Sequence, residues 1–260
     1  MKLHRKLAKI FGYELIKRKK HPTANSHIIN LINQSNIDMV LDIGANHGQF
    51  GNMLRDEGYK KEIHSFEPVS QTFEKLQANC VNDKNWFIYK LAMSDTCGEA
   101  AINVSKSSDL SSFLSPNDFG EKKYKKIEVI QKEIVEVETI DSFLTKTIQN
   151  FDKRKIFLKM DTQGYDLKVF KGSLKSIKHI AFILSELSLI PIYSGMPNYL
   201  ESLRKYEEYG FVISGLYPIS RNKNLSVIEM DCMLLNKKLA AYDSGKNKEQ
   251  VQSLASFIPA

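Results

Sequence analysis

Two carboxylates stand where apolar runs end. Val40-Leu41-Asp42-Ile43 passes into Gly44-Ala45-Asn46-His47-Gly48, and Ile63-His64-Ser65-Phe66 passes into Glu67-Pro68. A strand, a glycine turn and a helix in that order bring backbone close to a ligand, because glycine has no Cβ to collide with it. A dinucleotide site spaces three glycines as G-x-G-x-x-G so that a pyrophosphate can rest on the helix N-terminus. Here only Gly44 and Gly48 are present, and the Asp42 carboxylate would repel phosphate. The same charge suits a cation. S-adenosylmethionine is a phosphate-free nucleoside with a sulfonium and an amino group, and it fits Asp42, Gly44, Asn46 and Gly48. Glu67, with Pro68 beside it, stands about twenty residues beyond the turn, where an acid can accept both ribose hydroxyl hydrogens. Capping of the following helix is an equally ordinary role for Glu67.

A third apolar run ends at Leu91-Ala92-Met93-Ser94-Asp95. Adenine belongs there, with Met93 over a ring face and Ser94 or Asp95 on its exocyclic amine. The competing reading is a plain Asp-Thr-Cys-Gly turn. Two more acids, Asp161 and Glu186, close the apolar runs 156–160 and 180–187, and so face the carboxyl edge of any parallel sheet those runs build.

The elements that must position these residues follow a rhythm. Runs at 38–43, 62–66, 86–92, 156–160 and 180–187 read as buried strands, with helices at about 48–57, 69–81 and 165–176. Such alternation predicts a Rossmann-like α/β fold, a mostly parallel seven-stranded sheet with helices on both faces. Residues 99–138 break the rhythm as a β-rich insertion. Its serines and Pro116, from Ser105 to Asn117, predict a loop over the site with no core of its own. A helix near 198–208 leads to Phe211-Val212-Ile213 and then to the run 227–235, expected as an edge hairpin partner. Ahead of the domain, a helix from Asn25 to about Asn33 is expected, capped by Asn25 or Ser26. The chain thus divides into a basic helical extension (1–35), the main domain (36–236) and a polar tail (237–260), with no internal repeat.

Three segments resemble the FkbM family of methyltransferases, over roughly residues 38–236. They are Leu41 to Gly48, then Phe66-Glu67-Pro68, and then Lys159-Met160-Asp161-Thr162-Gln163-Gly164-Tyr165-Asp166 with Val169-Phe170-Lys171-Gly172. The last is the most distinctive. Asp166 stands where the family often has glutamate, and His47 fills a variable position. The resemblance implies a class I methyltransferase fold and O-methylation of a small molecule or of a sugar in a polysaccharide, glycolipid or natural product. Ser111-Ser112-Phe113 resembles the family's serine pair in the acceptor loop, so Ser111, Ser112, Gln163 and Tyr165 are the expected acceptor-binding residues. Tyr193 and Tyr217 are further aromatic groups for a sugar ring.

Methyl transfer to a hydroxyl is an in-line displacement that gains from positioning and from removal of the hydroxyl proton. Asp161 is the expected base or acceptor anchor and Glu186 orients the acceptor. A divalent metal held by both is an alternative, since hard cations prefer oxygen ligands. Asp161 may equally do no more than hold its turn. His64 and His179, on apolar runs, read as hydrogen-bonded structural histidines.

Charge narrows the partners. Residues 1–20 carry eight basic residues against Glu14 alone, so the formal net charge of +7 sits entirely there and the rest of the chain is balanced. Leu3, Leu7, Ile10, Phe11, Leu15 and Ile16 recur at helical spacing, giving a basic amphipathic helix that either packs on the domain or lies on anionic lipid. Lys9, Glu14 and Lys17 interrupt any signal-peptide core, and no run is long enough to span a membrane. Cys80, Cys97 and Cys232 are scattered, without metal or disulfide spacing, which fits a cytoplasmic protein, at the inner membrane surface if the helix binds lipid. A nicotinamide-dependent sugar oxidoreductase lacks its third glycine and its Tyr-x-x-x-Lys pair. A nucleic-acid methyltransferase lacks the Asn-Pro-Pro-aromatic turn, since Asp161-Thr162-Gln163-Gly164 stands in its place. A non-catalytic binding platform is disfavoured by the intact Asp42, Gly44, Gly48 and Glu67.

Overall fold

The computed structural model of the chain describes residues 2–13, 15 and 22–239. In chain order come α1 (Lys2–Ile10), α2 (Ala24–Ser35), β1 (Met39–Ile43), α3 (Gln49–Asp56), β2 (Glu62–Phe66), α4 (Ser70–Cys80) and β3 (Trp86–Tyr89). Then follow β4 (Ala92–Met93), β5 (Gly98–Ser105), α5 (Asp118–Lys123), β6 (Val129–Glu138), α6 (Ile140–Thr147), β7 (Ile156–Met160) and α7 (Asp166–Lys171). The last elements are β8 (Ile180–Ser188), α8 (Tyr199–Glu208), β9 (Phe211–Arg221) and β10 (Val227–Asn236).

Seven strands form one sheet in the order β3-β2-β1-β7-β8-β10-β9, in which β10 alone runs against the rest. Every residue of β1 and β7 is buried. Helices cover both faces, so these strands must be apolar throughout rather than alternating. Side chains still divide by face. Met39, Leu41 and Ile43 join a core with Phe143, Phe170 and Tyr206, whereas Val40 joins Leu54, Trp86, Phe157 and Ile28 and Ile32 of α2. The chain builds outward from β1 through β2 to β3, then returns to place β7 on the other flank of β1. That reversal opens a crevice at the carboxyl ends of β1 and β7.

Four expectations need correction. The run 227–235 is not at the edge: β10 lies between β8 and β9, and β9 is the border strand. The expected strand 86–92 breaks after Tyr89, and Ala92–Met93 joins a separate three-stranded sheet, β4-β6-β5. Thr23, not Asn25 or Ser26, caps α2, its side chain accepting the Ser26 N–H. The helix expected over 165–176 stops at Lys171, because the chain turns to donate the Lys175 and Ser176 N–H groups to the Asp141 carboxylate.

The insertion is more ordered than its serines suggest. Ile127, Ile192, Tyr193 and Ile228 form a small core, packed by Leu110, Leu114, Phe119 and Tyr124. Helix α6, which the sequence reading passed over, is capped by Thr139 and buries Ile140, Phe143 and Leu144. At the N-terminus α1 leaves Leu7, Ile10 and Phe11 exposed. The rest of the basic stretch, residues 16–21, and the tail from 240 lie outside the described residues.

Candidate active site

The glycine turn is set by protein contacts on its flanks. Gly44 has φ +72°, and a Cβ there would lie 2.0 Å from the Asp161 carbonyl oxygen. Gly48 has φ +85° and caps α3, where a Cβ would lie 2.9 Å from Leu76 Cδ1 and 3.1 Å from the Trp86 ring. Both positions demand glycine, because the turn packs against the end of β7 and against Trp86. Gly44 does line the crevice, and Gly48 does not.

The strand before the turn carries Asp42. It is fully buried beneath the turn and faces neither cleft. In the sheet it is flanked in register by Ser65 and Lys159. Ser65 Oγ donates to Asp42 Oδ2 at 2.9 Å and accepts from Trp86 Nε1 at 2.9 Å, while Lys159 Nζ lies 3.0 Å from Asp42 Oδ1. Burial opposes the lysine charge, but the carboxylates of Asp42 and Asp161 outweigh it and hold the amine protonated beyond the ordinary lysine range. Lys159 Nζ also donates to the Gly44 carbonyl at 2.8 Å. It thus braces the turn from below, a role missing from the expected site residues. A lone lysine inside an otherwise apolar strand was the available signal.

Above the turn lies a cleft whose empty space, its open mouth included, is about 630 Å³. Phe66, Leu91, Ala92 and Met93 form its apolar wall, and Asn46, Glu67, Pro68, Ser111 and Ser112 also line it. Glu67 accepts the Asn46 N–H on one oxygen and the Val69 N–H on the other, both at 3.0 Å, so it joins the glycine turn to the start of α4. Burial pushes its carboxyl up to about 7. Each oxygen keeps a lone pair for a ribose hydroxyl. Ser94 and Asp95 are not in this lining. Ser94 is buried, 3.4 Å from the Tyr165 hydroxyl, and Asp95 pairs with Lys168 at 3.0 Å. The lining includes the acids Glu67, Asp109 and Asp161 and no lysine, arginine or histidine. That chemistry fits a cationic, phosphate-free nucleoside and opposes a pyrophosphate.

At the end of β7 the chain turns through Gln163, whose φ of +53° swings its side chain across the sheet edge. Gln163 Nε2 donates to Asp161 Oδ1 at 3.1 Å and to Glu186 Oε2 at 3.0 Å, so one amide spans both carboxylates. The Tyr193 hydroxyl lies 3.0 Å from Gln163 Oε1 and 2.9 Å from the Leu110 carbonyl, and Ser112 Oγ donates to the Gln163 carbonyl at 2.8 Å. Asp166 secures the same corner, accepting from Thr162 N and from Ser185 Oγ and Glu186 N of β8. Burial first, then the charges of Asp161, Glu229, Asp166 and Asp231, push the Glu186 carboxyl well above its usual range. Among the described residues no three His, Cys, Asp or Glu side chains are grouped to hold a metal ion, and the space between Asp161 and Glu186 holds an amide.

Tyr165 packs on Phe113 with centroids 5.0 Å apart and the rings tilted by 50°, and it does not line the cleft. Tyr217 bonds His27 of α2 at 2.7 Å. His64 is buried between Tyr89 and Glu62, a structural position. The insertion closes over the turn through the 3-10 turn Ser108–Leu110, where Ser108 Oγ donates to Asn46 Oδ1 at 2.9 Å. Behind it a second cleft is lined by Asn25, Phe50, Lys159, Asp161, Leu184 and Asp231.

The strand order, the single reversed strand and the crevice beside β1 define a Rossmann-like class I methyltransferase fold. Residues 42–213 match the Methyltransferase FkbM domain, and the chain belongs to that family. It is an S-adenosylmethionine-dependent methyltransferase. No curated protein matches the chain. Solved structures similar to it include magnesium protoporphyrin IX methyltransferase from Synechocystis PCC 6803, 8% identical with TM-score 0.45, covering 89% of each chain. An rRNA methylase from Streptococcus thermophilus is 12% identical with TM-score 0.40, over 85% of this chain and 98% of that one. Aeropyrum pernix fibrillarin is 10% identical with TM-score 0.37, over 76% and 66%. Likenesses this distant say nothing of the acceptor.

Proposed function

We propose that the protein O-methylates a hydroxyl of a sugar in a polysaccharide, glycolipid or glycosylated natural product. The observation that carries this reading is the Asp161–Gln163–Glu186 row, in which Asp161 and Gln163 line the cofactor cleft and Glu186 is joined to them through the Gln163 amide. Glu67, Asn46 and the Phe66–Met93 wall would hold the cofactor, which would supply an electrophilic methyl group. Asp161, with its side chain about half exposed, accepts the acceptor hydroxyl proton as the oxygen forms its bond to carbon. Gln163 fixes the Asp161 carboxylate by donating to it. Glu186 accepts from the same Gln163 amide and so orients the acceptor from behind it. Comparative glycan mass spectrometry of cells with and without the protein tests this: one sugar methyl group is lost with the protein. Unchanged glycans beside an altered lipid, peptide or nucleic acid would sink the sugar assignment.

The basic N-terminal stretch supports attachment to an anionic lipid surface on the cytoplasmic side. Exposed Leu7, Ile10 and Phe11 offer apolar contact, and the charge of this stretch favours acidic headgroups. No helix among the described residues is long and apolar enough to cross a membrane. Co-sedimentation with phosphatidylserine vesicles, lost on deleting residues 1–20 and absent with neutral vesicles, is the expected result.

A further inference from the structure

The two clefts share one short wall, since Gly44, Asn46, Asp109 and Asp161 line both. Glu67 and Met93, suited to a nucleoside, lie on one side of it, and Lys159, Asp231 and Asn25 lie on the other. A ligand reaching from one cleft to the other passes this wall. In S-adenosylmethionine the atom that joins nucleoside to amino acid is the sulfonium sulfur.

The two carboxylates on the wall differ in what they already hold. Asp161 accepts from Gln163 at 3.1 Å and has Lys159 3.7 Å away. Asp109 is exposed and has no hydrogen bond or ion pair among the described residues; its charge acts on His47, whose imidazole burial first and then Lys75 nevertheless hold below the ordinary histidine range. The position of Asp109 is nonetheless fixed. The 3-10 turn that carries it is tied to the glycine turn by Ser108 and to the insertion's small core by the Tyr193–Leu110 hydrogen bond.

We propose that Asp109 is a cofactor-discriminating residue, placing an uncompensated negative charge against the sulfonium and so favouring S-adenosylmethionine over its product. In the transfer, the acceptor oxygen forms a bond to the methyl carbon and the carbon–sulfur electron pair returns to sulfur. The hydroxyl proton goes to the base. Sulfur passes from a cationic sulfonium to the neutral thioether of S-adenosylhomocysteine, and its attraction to Asp109 disappears. The insertion therefore holds the substrate form of the cofactor more firmly than the spent form. This inference rests on the cofactor's lying across both clefts.

Calorimetry on the full chain separates the outcomes. Asp109→Asn should weaken S-adenosylmethionine binding about fivefold, the upper range for one exposed charge pair, and leave S-adenosylhomocysteine binding unchanged. Asp109→Glu should keep the preference, and added salt should shrink it in the unaltered protein. Equal losses for both ligands would put the carboxylate at the amino group they share, or make it merely structural, and would overturn the proposal. No loss for either would overturn it too. An unaltered protein that binds neither ligand would instead remove the cofactor reading itself.

Discussion

Lys159 Nζ and Asp42 Oδ1 lie 3.0 Å apart in the sheet interior, on residues that are register partners of adjacent parallel strands. Asp42 therefore acts through the lysine. It compensates the charge that holds the Gly44 carbonyl, and the lysine in turn lies near Asp161. The distinctive lysine–methionine–aspartate segment thus braces the glycine turn with its first residue and, on the function proposed above, offers a carboxylate to the acceptor with its third.

Lys159→Met should destabilise the fold by about 3–5 kcal/mol, because it leaves a buried carboxylate without its cation. Urea unfolding gives the value. Combining it with Asp42→Asn should recover part of the loss, and strictly additive losses would show that the pair does not interact.

Gly44→Ala should cost at least about 3 kcal/mol, since it combines a left-handed backbone with a collision against the Asp161 carbonyl. Thermal denaturation reads this directly. A variant with an unchanged melting temperature would contradict the packing of β1 against the end of β7.

Cofactor affinity should rise with pH through about 7, the value to which burial pushes Glu67. The ionised carboxylate is the form that accepts ribose hydroxyls, so affinity should increase roughly tenfold between about pH 6 and about pH 8. Stability of the free protein runs the other way. The folded carboxyl lies above its unfolded value of about 4.3, so its contribution is fully present below that value and is lost as pH rises through about 7. Titration calorimetry at several pH values, with Glu67→Gln as the flat control, checks both the direction and the residue.

Asp161→Asn should lower kcat by about 10²- to 10⁴-fold, the usual reach of a positioned base, without weakening cofactor binding. Single-turnover kinetics beside a binding isotherm separate the two. An unchanged rate would remove Asp161 from proton transfer.

The parallel strands were legible because β1, β7 and β8 are covered on both faces and so are written as mainly apolar runs, in which Asp42, Lys159 and Glu186 stand out. Glu67 and Met93 were legible as strand ends meeting one crevice. What could not be read locally depends on neighbours distant in sequence. The place of β10 inside the sheet is fixed by pairing with β8, some forty residues earlier, and not by its own pattern. The glycines of the turn also answer to Asp161 and Trp86, neighbours far along the chain. Asp42 looked ligand-facing until its strand parity put it beside Lys159. Helix α6 was a local signal passed over, with Thr139 ahead of Ile140, Phe143 and Leu144 at helical spacing.

Met93 and Glu138 are partners in the small sheet, as are Gly98 and Val137. The chain therefore departs from the main body and comes home through a single doorway, with everything that covers the crevice hung beyond it. On the function proposed above, that outlying ribbon is where acceptor preference resides, while the paired strands beneath it carry the cofactor's seat.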